Sequence, residues 1–204
     1  MRNIKFFAAA FLFAFCTSAS AQFTNTKASS GSDSGNKSYT TLYLQYNPSK
    51  ITKLDYDFNG VSIGLNRGIS VSPEIPLFVE IGGALQFSWK SEHHGYEMYF
   101  GSIKVPISLT YNWQVANGFA IAPYAGLTSR FNIAGKDHYY DYDTNNMFSD
   151  EGGYKRFQFG WQIGANFKFN KKFYLGAGYG TDFNKFSEGD GKIHTTSVTA
   201  GIIF

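Results

Sequence analysis

The sequence predicts an all-β chain, an eight-stranded antiparallel up-and-down transmembrane β-barrel. Three observations carry this prediction: a nearly unbroken period of two, a polar face made of small residues, and connections that alternate between short and long. The period is clearest from Phe157 to Phe183. Phe157, Phe159, Trp161, Ile163, Ala165, Phe167 and Phe169 share one face, and Gln158, Gly160, Gln162, Gly164, Asn166 and Lys168 share the other. After Asn170-Lys171-Lys172, Phe173, Leu175, Ala177 and Tyr179 oppose Tyr174, Gly176, Gly178 and Gly180. Successive side chains on a strand point to opposite faces, so alternation of this length specifies strands. A sheet face in bulk water usually carries many charges. This polar face is too small and Gly-rich for that, and suits the crowded lumen of a narrow barrel whose apolar side meets lipid.

The chain begins with the features of a secretory signal, expected to span residues 1–21. Arg2 and Lys5 form a positive start, Phe6 to Phe15 is apolar, and Ala19-Ser20-Ala21 fits small-residue cleavage. The apolar run is shorter than the roughly 20 residues a helix needs to cross a bilayer. Cys16 raises a lipoprotein alternative, but bulky Phe15 stands where that signal wants a small residue. Without the signal the chain has no cysteine, which excludes thiol chemistry and disulfides. Removing Arg2 and Lys5 leaves 16 basic against 15 acidic residues, a balance that gives no footprint for nucleic acid. Residues 22–38 are rich in Ser, Thr, Asn, Gly and Lys and read as a flexible leader. The barrel domain is expected over 39–204.

Strands then follow in order: Tyr39–Asn47, Gly60–Ile69, Leu77–Lys90, Gly101–Trp113, Phe119–Ile133, the two arms of the hairpin above, and Lys192–Phe204. In each, apolar residues alternate with small or polar ones, as Ile103, Val105, Ile107 and Leu109 do with Ser102, Lys104, Pro106 and Ser108. An even strand number is what closure of a bacterial single-chain barrel requires. Short connections (Ser70–Pro76, Gln114–Gly118, Asn170–Lys172) alternate with long ones (Pro48–Asn59, Ser91–Phe100, Ala134–Lys155, Asn184–Gly191). Periplasmic turns and extracellular loops give that rhythm. Both chain ends then fall on the periplasmic side. Pro106 and Pro123 cannot donate to a ladder, and predict bulges or weakened pairing in the fourth and fifth strands.

The stretches Ile103-Lys104-Val105-Pro106-Ile107-Ser108-Leu109, Tyr111-Asn112-Trp113, Ala122-Pro123-Tyr124-Ala125-Gly126-Leu127, Gly176-Ala177-Gly178-Tyr179-Gly180 and Ile202-Ile203-Phe204 carry a resemblance. The chain resembles the outer membrane β-barrel domain family of small porin-like proteins, and is similar in plan to outer membrane proteins A and X. The resemblance implies a place in the bacterial outer membrane and contact with its lipid. It also implies recognition of Ile202 and the terminal Phe204 by the barrel assembly machinery. Relatives serve in adhesion, envelope integrity, immune interaction or small-solute passage.

Two groups of residues are candidate sites. Glu80, Lys104, Arg130, Lys168 and Asp182 fall on the inward parity. They either line a selective pore or pair across the lumen, Asp182 with Arg130 or Lys104 and Glu80 with Lys168, because a buried charge needs a partner. A barrel of eight strands is just wide enough for its own side chains to fill. In the longest loop, Tyr139, Tyr140, Asp141, Tyr142 and Asp143 offer amphipathic contact area for an extracellular protein or glycan. Asp141, Asp143 and Asn145 have the spacing of a calcium loop, but Asn146 and Gly152 replace the glycine and glutamate it requires. His93 and His94 have no third ligand, so no metal and no cofactor are expected. His194, Thr196, Ser197, Glu188 and Asp190 offer the residue types of a lipid hydrolase, but Ser197 has the parity opposite to His194. The expected role is therefore non-enzymatic: a barrel displaying loops for surface interaction, adhesion or envelope integrity. A narrow porin-like channel is the alternative. A soluble lipocalin-like binder would require the two faces to be reversed.

Overall fold

A computed structural model describes residues 38–52, 56–91, 96–139, 145–149, 153–187 and 191–204. The expected signal, nearly all of the leader, His93, His94, Glu188, Asp190 and the loop residues Tyr140 to Asp143 lie outside them. Eleven strands form one antiparallel sheet: β1 (Ser38–Tyr46), β2 (Ser49–Ile51), β3 (Tyr56–Ser70), β4 (Leu77–Ser91), β5 (Tyr96–Tyr111), β6 (Trp113–Ala116), β7 (Phe119–Tyr139), β8 (Asn145–Asn146), β9 (Phe157–Phe169), β10 (Phe173–Asp182) and β11 (Ile193–Ile203). The order β1-β11-β10-β9-β7-β5-β4-β3 closes on itself through β1 and β3. The short β2 carries β1 onward between β11 and β3, and β6 carries β5 onward along β7. Eight staves result, a closed eight-stranded barrel.

Inward and outward parities follow the alternation in the sequence. Phe157 and Ile163 are 53% and 51% exposed on the outer wall, whereas Gln158 is fully enclosed. The faces are those of a membrane barrel and not of a soluble ligand carrier. Tight turns close one end of the barrel, the end expected from the sequence to be periplasmic. Asn170 and Lys171 both have positive φ, and Lys172 N donates to Phe169 O at 3.0 Å. Left-handed central residues match the strand twist of a hairpin, at the cost of placing lysine in a region that glycine prefers.

The two prolines interrupt pairing without shifting register. Pro106 pairs in order with Thr128 of β7, but on the β4 side Gly82 and Gly83 are left unpaired between Ile81↔Ile107 and Ala84↔Lys104. Opposite Pro123 the ladder breaks between Thr110↔Tyr124 and Trp113↔Ile121, and Asn112 N donates instead to Pro76 O at 2.8 Å. The register shift between β5 and β7 lies elsewhere, at Gly101/Ser102, where Ile133 is the extra residue on β7. The bulge reverses parity beyond it.

Strands also run further outward than the alternation predicts. Parts of the expected loops Pro48–Asn59, Ser91–Phe100 and Ala134–Lys155 are strand: β2 and the start of β3, the start of β5, and the end of β7. The reason is tertiary. Phe58, Met98 and Phe100 keep the inward parity but are apolar, and they pack in one cluster beyond the polar layers instead of lining a polar lumen.

Candidate functional site

Inside the barrel, side chains stack in layers from the periplasmic end outward. In the lowest layer Tyr39 donates its hydroxyl to Glu80, and Lys168 Nζ lies 3.0 Å from the Tyr39 oxygen and 2.8 Å from Asn112 Oδ1. Lys168 also sits 4.2 Å from the centroid of the Tyr39 ring, and Phe78 packs against that ring. Glu80 and Lys168 thus meet through Tyr39 and not by the direct pairing expected from sequence. The hydroxyl supplies a donor to the carboxylate and an acceptor to the ammonium, so each buried charge is answered.

The middle layer is made by Tyr43, Tyr124 and Tyr174. A glycine stands beside each tyrosine of the lumen: Gly68 against Tyr39, Gly64 against Tyr43, Gly164 and Gly178 against Tyr124, and Gly201 against Tyr174. A Cβ on any of them would strike the facing tyrosine, so the small polar face exists to admit large rings. The space left among Tyr43, Tyr124, Tyr174, Gln45, Lys104 and their neighbours is ≈ 40 Å³. A water molecule needs roughly 10–15 Å³ by this measure, so the space has room for a few waters and for nothing much larger.

Above this, Arg130 Nη2 donates to Asp182 Oδ2 at 2.6 Å, with both side chains buried. Lys104 points to Gln45 Oε1 at 3.4 Å, and Gln45 in turn donates to Thr199. Asn132 donates to Gln158 and accepts from Ser102, closing this layer with neutral hydrogen bonds.

An apolar cap then fills the mouth opposite the tight turns. Ile51, Phe58, Met98, Phe100, Met147, Phe148, Phe186 and Ile193 form one buried cluster, with Tyr154 against it. These residues come from all four outer connections. Phe100 meets Phe58, Phe148 and Phe186 with ring centroids 5.5, 6.4 and 5.6 Å apart. Arg156 ties the rim by donating to the carbonyls of Ile133 at 3.0 Å and Phe148 at 2.9 Å. Sequence reasoning treated these stretches as loops and missed the cap. The available signal was apolar residues continuing on a parity that is polar lower down, as Met98 and Phe100 do above Ser102.

The five inward charges thus fall into two layers: Glu80 and Lys168 below, and Lys104, Arg130 and Asp182 above. Of the loop group, Tyr139 ends β7, where its backbone pairs with Tyr96; Tyr140, Asp141, Tyr142 and Asp143 lie outside the described residues. Ile202 pairs with Leu42 and Phe173, and Phe204 is exposed at the barrel's lower rim.

On the outer wall, His194 Nδ1 is 2.7 Å from the Tyr179 hydroxyl and Nε2 is 2.7 Å from Thr52 Oγ1. Thr52 donates its one hydroxyl hydrogen to Lys192 O at 3.1 Å. Both ring nitrogens of His194 are thus engaged by hydroxyls, and which of them donates depends on the tautomer. Ser197 is buried on the opposite face.

A family model described as outer membrane protein beta-barrel domain matches residues 60–188. Among solved structures, Ail, the attachment invasion locus protein of Yersinia pestis, in complex with the heparin analogue sucrose octasulfate, is 14% identical with a TM-score of 0.51. It covers 83% of this chain and 100% of its own. The outer membrane enzyme PagL is 11% identical with a TM-score of 0.50, covering 78% of this chain and 98% of its own. No curated protein matches. At these identities the likeness is one of fold.

Proposed function

Because the chain belongs to the outer membrane protein β-barrel domain family, and so to the bacterial outer membrane, we propose that it is a non-conducting, non-enzymatic barrel. It works through the surface that its four outer connections build together. One observation supports this above others: the lumen is filled twice, by the tyrosine layer with ≈ 40 Å³ between its side chains and by the apolar cap above. An ion would lose its hydration at the cap with nothing polar to replace it. The charges Glu80, Lys104, Arg130, Lys168 and Asp182 act in this reading as a polar core that holds the staves together, not as a selectivity filter. In the lower and upper layers each has a protein partner.

The enzymatic alternative lacks support at His194, where both ring nitrogens are engaged by hydroxyls and Ser197 is buried on the opposite face of the strand. Recognition is assigned to the outer surface, with Tyr139, Tyr140, Asp141, Tyr142 and Asp143 as its amphipathic contact group and an extracellular protein or glycan as partner. Secretion follows from cleavage after Ala21, and insertion from Ile202 and Phe204 as the assembly signal.

Planar-bilayer recording tests the central point. Wild type gives no channel steps, and Arg130→Ala, which removes one side chain of the upper layer, gives none either because the cap and the tyrosines remain. Steady unitary conductance from wild type overturns the reading in favour of a narrow pore. Binding to host cells or matrix, compared between wild type and a variant with Tyr140 and Tyr142 changed to serine, tests the surface role; equal binding removes the tyrosines from it.

A further inference from the structure

The geometry points to a second site, outside the barrel: a groove on the outer wall that seats the saccharide headgroup of an outer-leaflet glycolipid. The groove, ≈ 760 Å³, lies where β2, β3, β10 and β11 meet. Its height is set by a change in the wall. Below it the outward side chains are Leu44, Val61, Ile63 and Val198, all exposed as lipid-facing residues are. Within it they become Lys50, Asp57, Asn59 and Thr196. The exposed rings of Tyr46 and Tyr179 mark the boundary, the level at which amphipathic aromatics meet lipid headgroups.

Position alone selects a lipid headgroup; composition selects which. Lys50 stands in register with Asp57 on one side and His194 on the other. Among the described lining residues one cation faces one anion, so a phosphate headgroup would meet repulsion from Asp57 beside any attraction to Lys50. The other groups are neutral. Asn59 accepts from the Tyr46 hydroxyl at 2.6 Å through Oδ1, which leaves its two amide hydrogens as donors. Thr196 adds a hydroxyl on the same outer face. Tyr179 is tied to His194 through its hydroxyl and presents an exposed flat ring. A carboxylate acceptor, an amide donor, a hydroxyl and an aromatic face match the adjacent hydroxyls and the C–H face of a sugar ring, because each sugar hydroxyl both donates and accepts. His194, held on both nitrogens, is a positioning residue that fixes Tyr179 relative to the end of β2. The acyl chains then run down Leu44, Ile63 and Val198. This site is independent of whether the barrel conducts.

The test uses the full chain folded in detergent, with glucosyl diacylglycerol and phosphatidylglycerol of matched acyl chains, read by native mass spectrometry. Wild type retains the glucosyl lipid in preference to phosphatidylglycerol. Asp57→Ala combined with Asn59→Ala lowers that retention about thirtyfold or more, the loss expected for removing a charged hydrogen-bond partner and a neutral one. Thr196→Val, nearly isosteric, is read in parallel, and heat-modifiable mobility on gels certifies that each variant is folded. Equal retention of the two lipids by wild type, a preference for phosphatidylglycerol, or unchanged glucosyl-lipid retention in the folded variants overturns the site.

Discussion

Arg130 and Asp182 face each other across the upper lumen at 2.6 Å, contributed by β7 and β10 with β9 between them. Their pairing spans a stave instead of following the ladder, so it braces the barrel wall across its interior. Removing one partner leaves the other charge buried and unanswered, and such losses cost about 3–5 kcal/mol. Arg130→Ala should therefore lower the free energy of urea unfolding in detergent by that amount. Arg130→Met with Asp182→Leu, which removes both charges, should recover most of the loss. A double variant as unstable as Arg130→Ala would show that the pair is not the source of the effect.

The hydroxyl of Tyr39 joins Glu80 to Lys168 in the lower layer. Tyr39→Phe retains the ring against Phe78 and beneath Lys168 but deletes the shared oxygen. Leaving a buried partner unmet costs about 1–3 kcal/mol. The expected result is a destabilised barrel of unchanged strand content, measured by unfolding followed with circular dichroism. No loss of stability would mean that Glu80 and Lys168 close on each other once the hydroxyl is gone.

The glycines separate into two kinds that one substitution distinguishes. A Cβ at Gly126 would fall on the Ile107 carbonyl oxygen and the Ser108 backbone, neither of which can move without breaking the β5–β7 ladder. At Gly83 a Cβ meets nothing within 4 Å. Gly126→Ala should prevent folding or cost several times the effect of Gly83→Ala, which should stay within about 0.5 kcal/mol of wild type as harmless surface changes do. Folded yield in detergent and unfolding midpoints decide it.

The strand order, the parity of each stave and the two layers of inward charge were all legible because the membrane imposes one rule along the whole wall: apolar outward, small or polar inward. Where that rule ends, so did the legibility. Phe58, Met98 and Phe100 stand beyond the last polar layer, where the inside of the barrel becomes the place for apolar residues. The alternation continues there with its meaning inverted, and reading it as loop followed from expecting a polar interior throughout. The prolines were legible in part: Pro106 and Pro123 each remove a donor and the pairing beside them is interrupted as expected, but register holds across the gaps, and the shift between β5 and β7 falls at Gly101/Ser102, where no proline marks it. The Tyr39 bridge could not be read from strand position, which places Glu80 and Lys168 at similar depth but does not say what lies between them.

The apolar cap makes the strongest demand on experiment because it links connections that sequence treats as separate. Phe186 is fully enclosed, with Phe100 and Tyr154 at centroid distances of 5.6 and 5.2 Å, and its backbone N–H is held by Gly191 O at 2.7 Å. Phe186→Ala would open a cavity at the junction of all four connections, a loss of about 3–5 kcal/mol for a buried phenylalanine. That loss should fall on the cap and not on the membrane-spanning ladder, whose tyrosine and charge layers lie below it. Limited proteolysis of the folded barrel should then cut in the connections from β2 to β3, β4 to β5 and β7 to β9 as well as in the one that holds Phe186. Heat-modifiable mobility should still report a closed barrel. If cleavage increased only between β10 and β11, the four connections would be independent loops and the composite surface proposed for this protein would not exist.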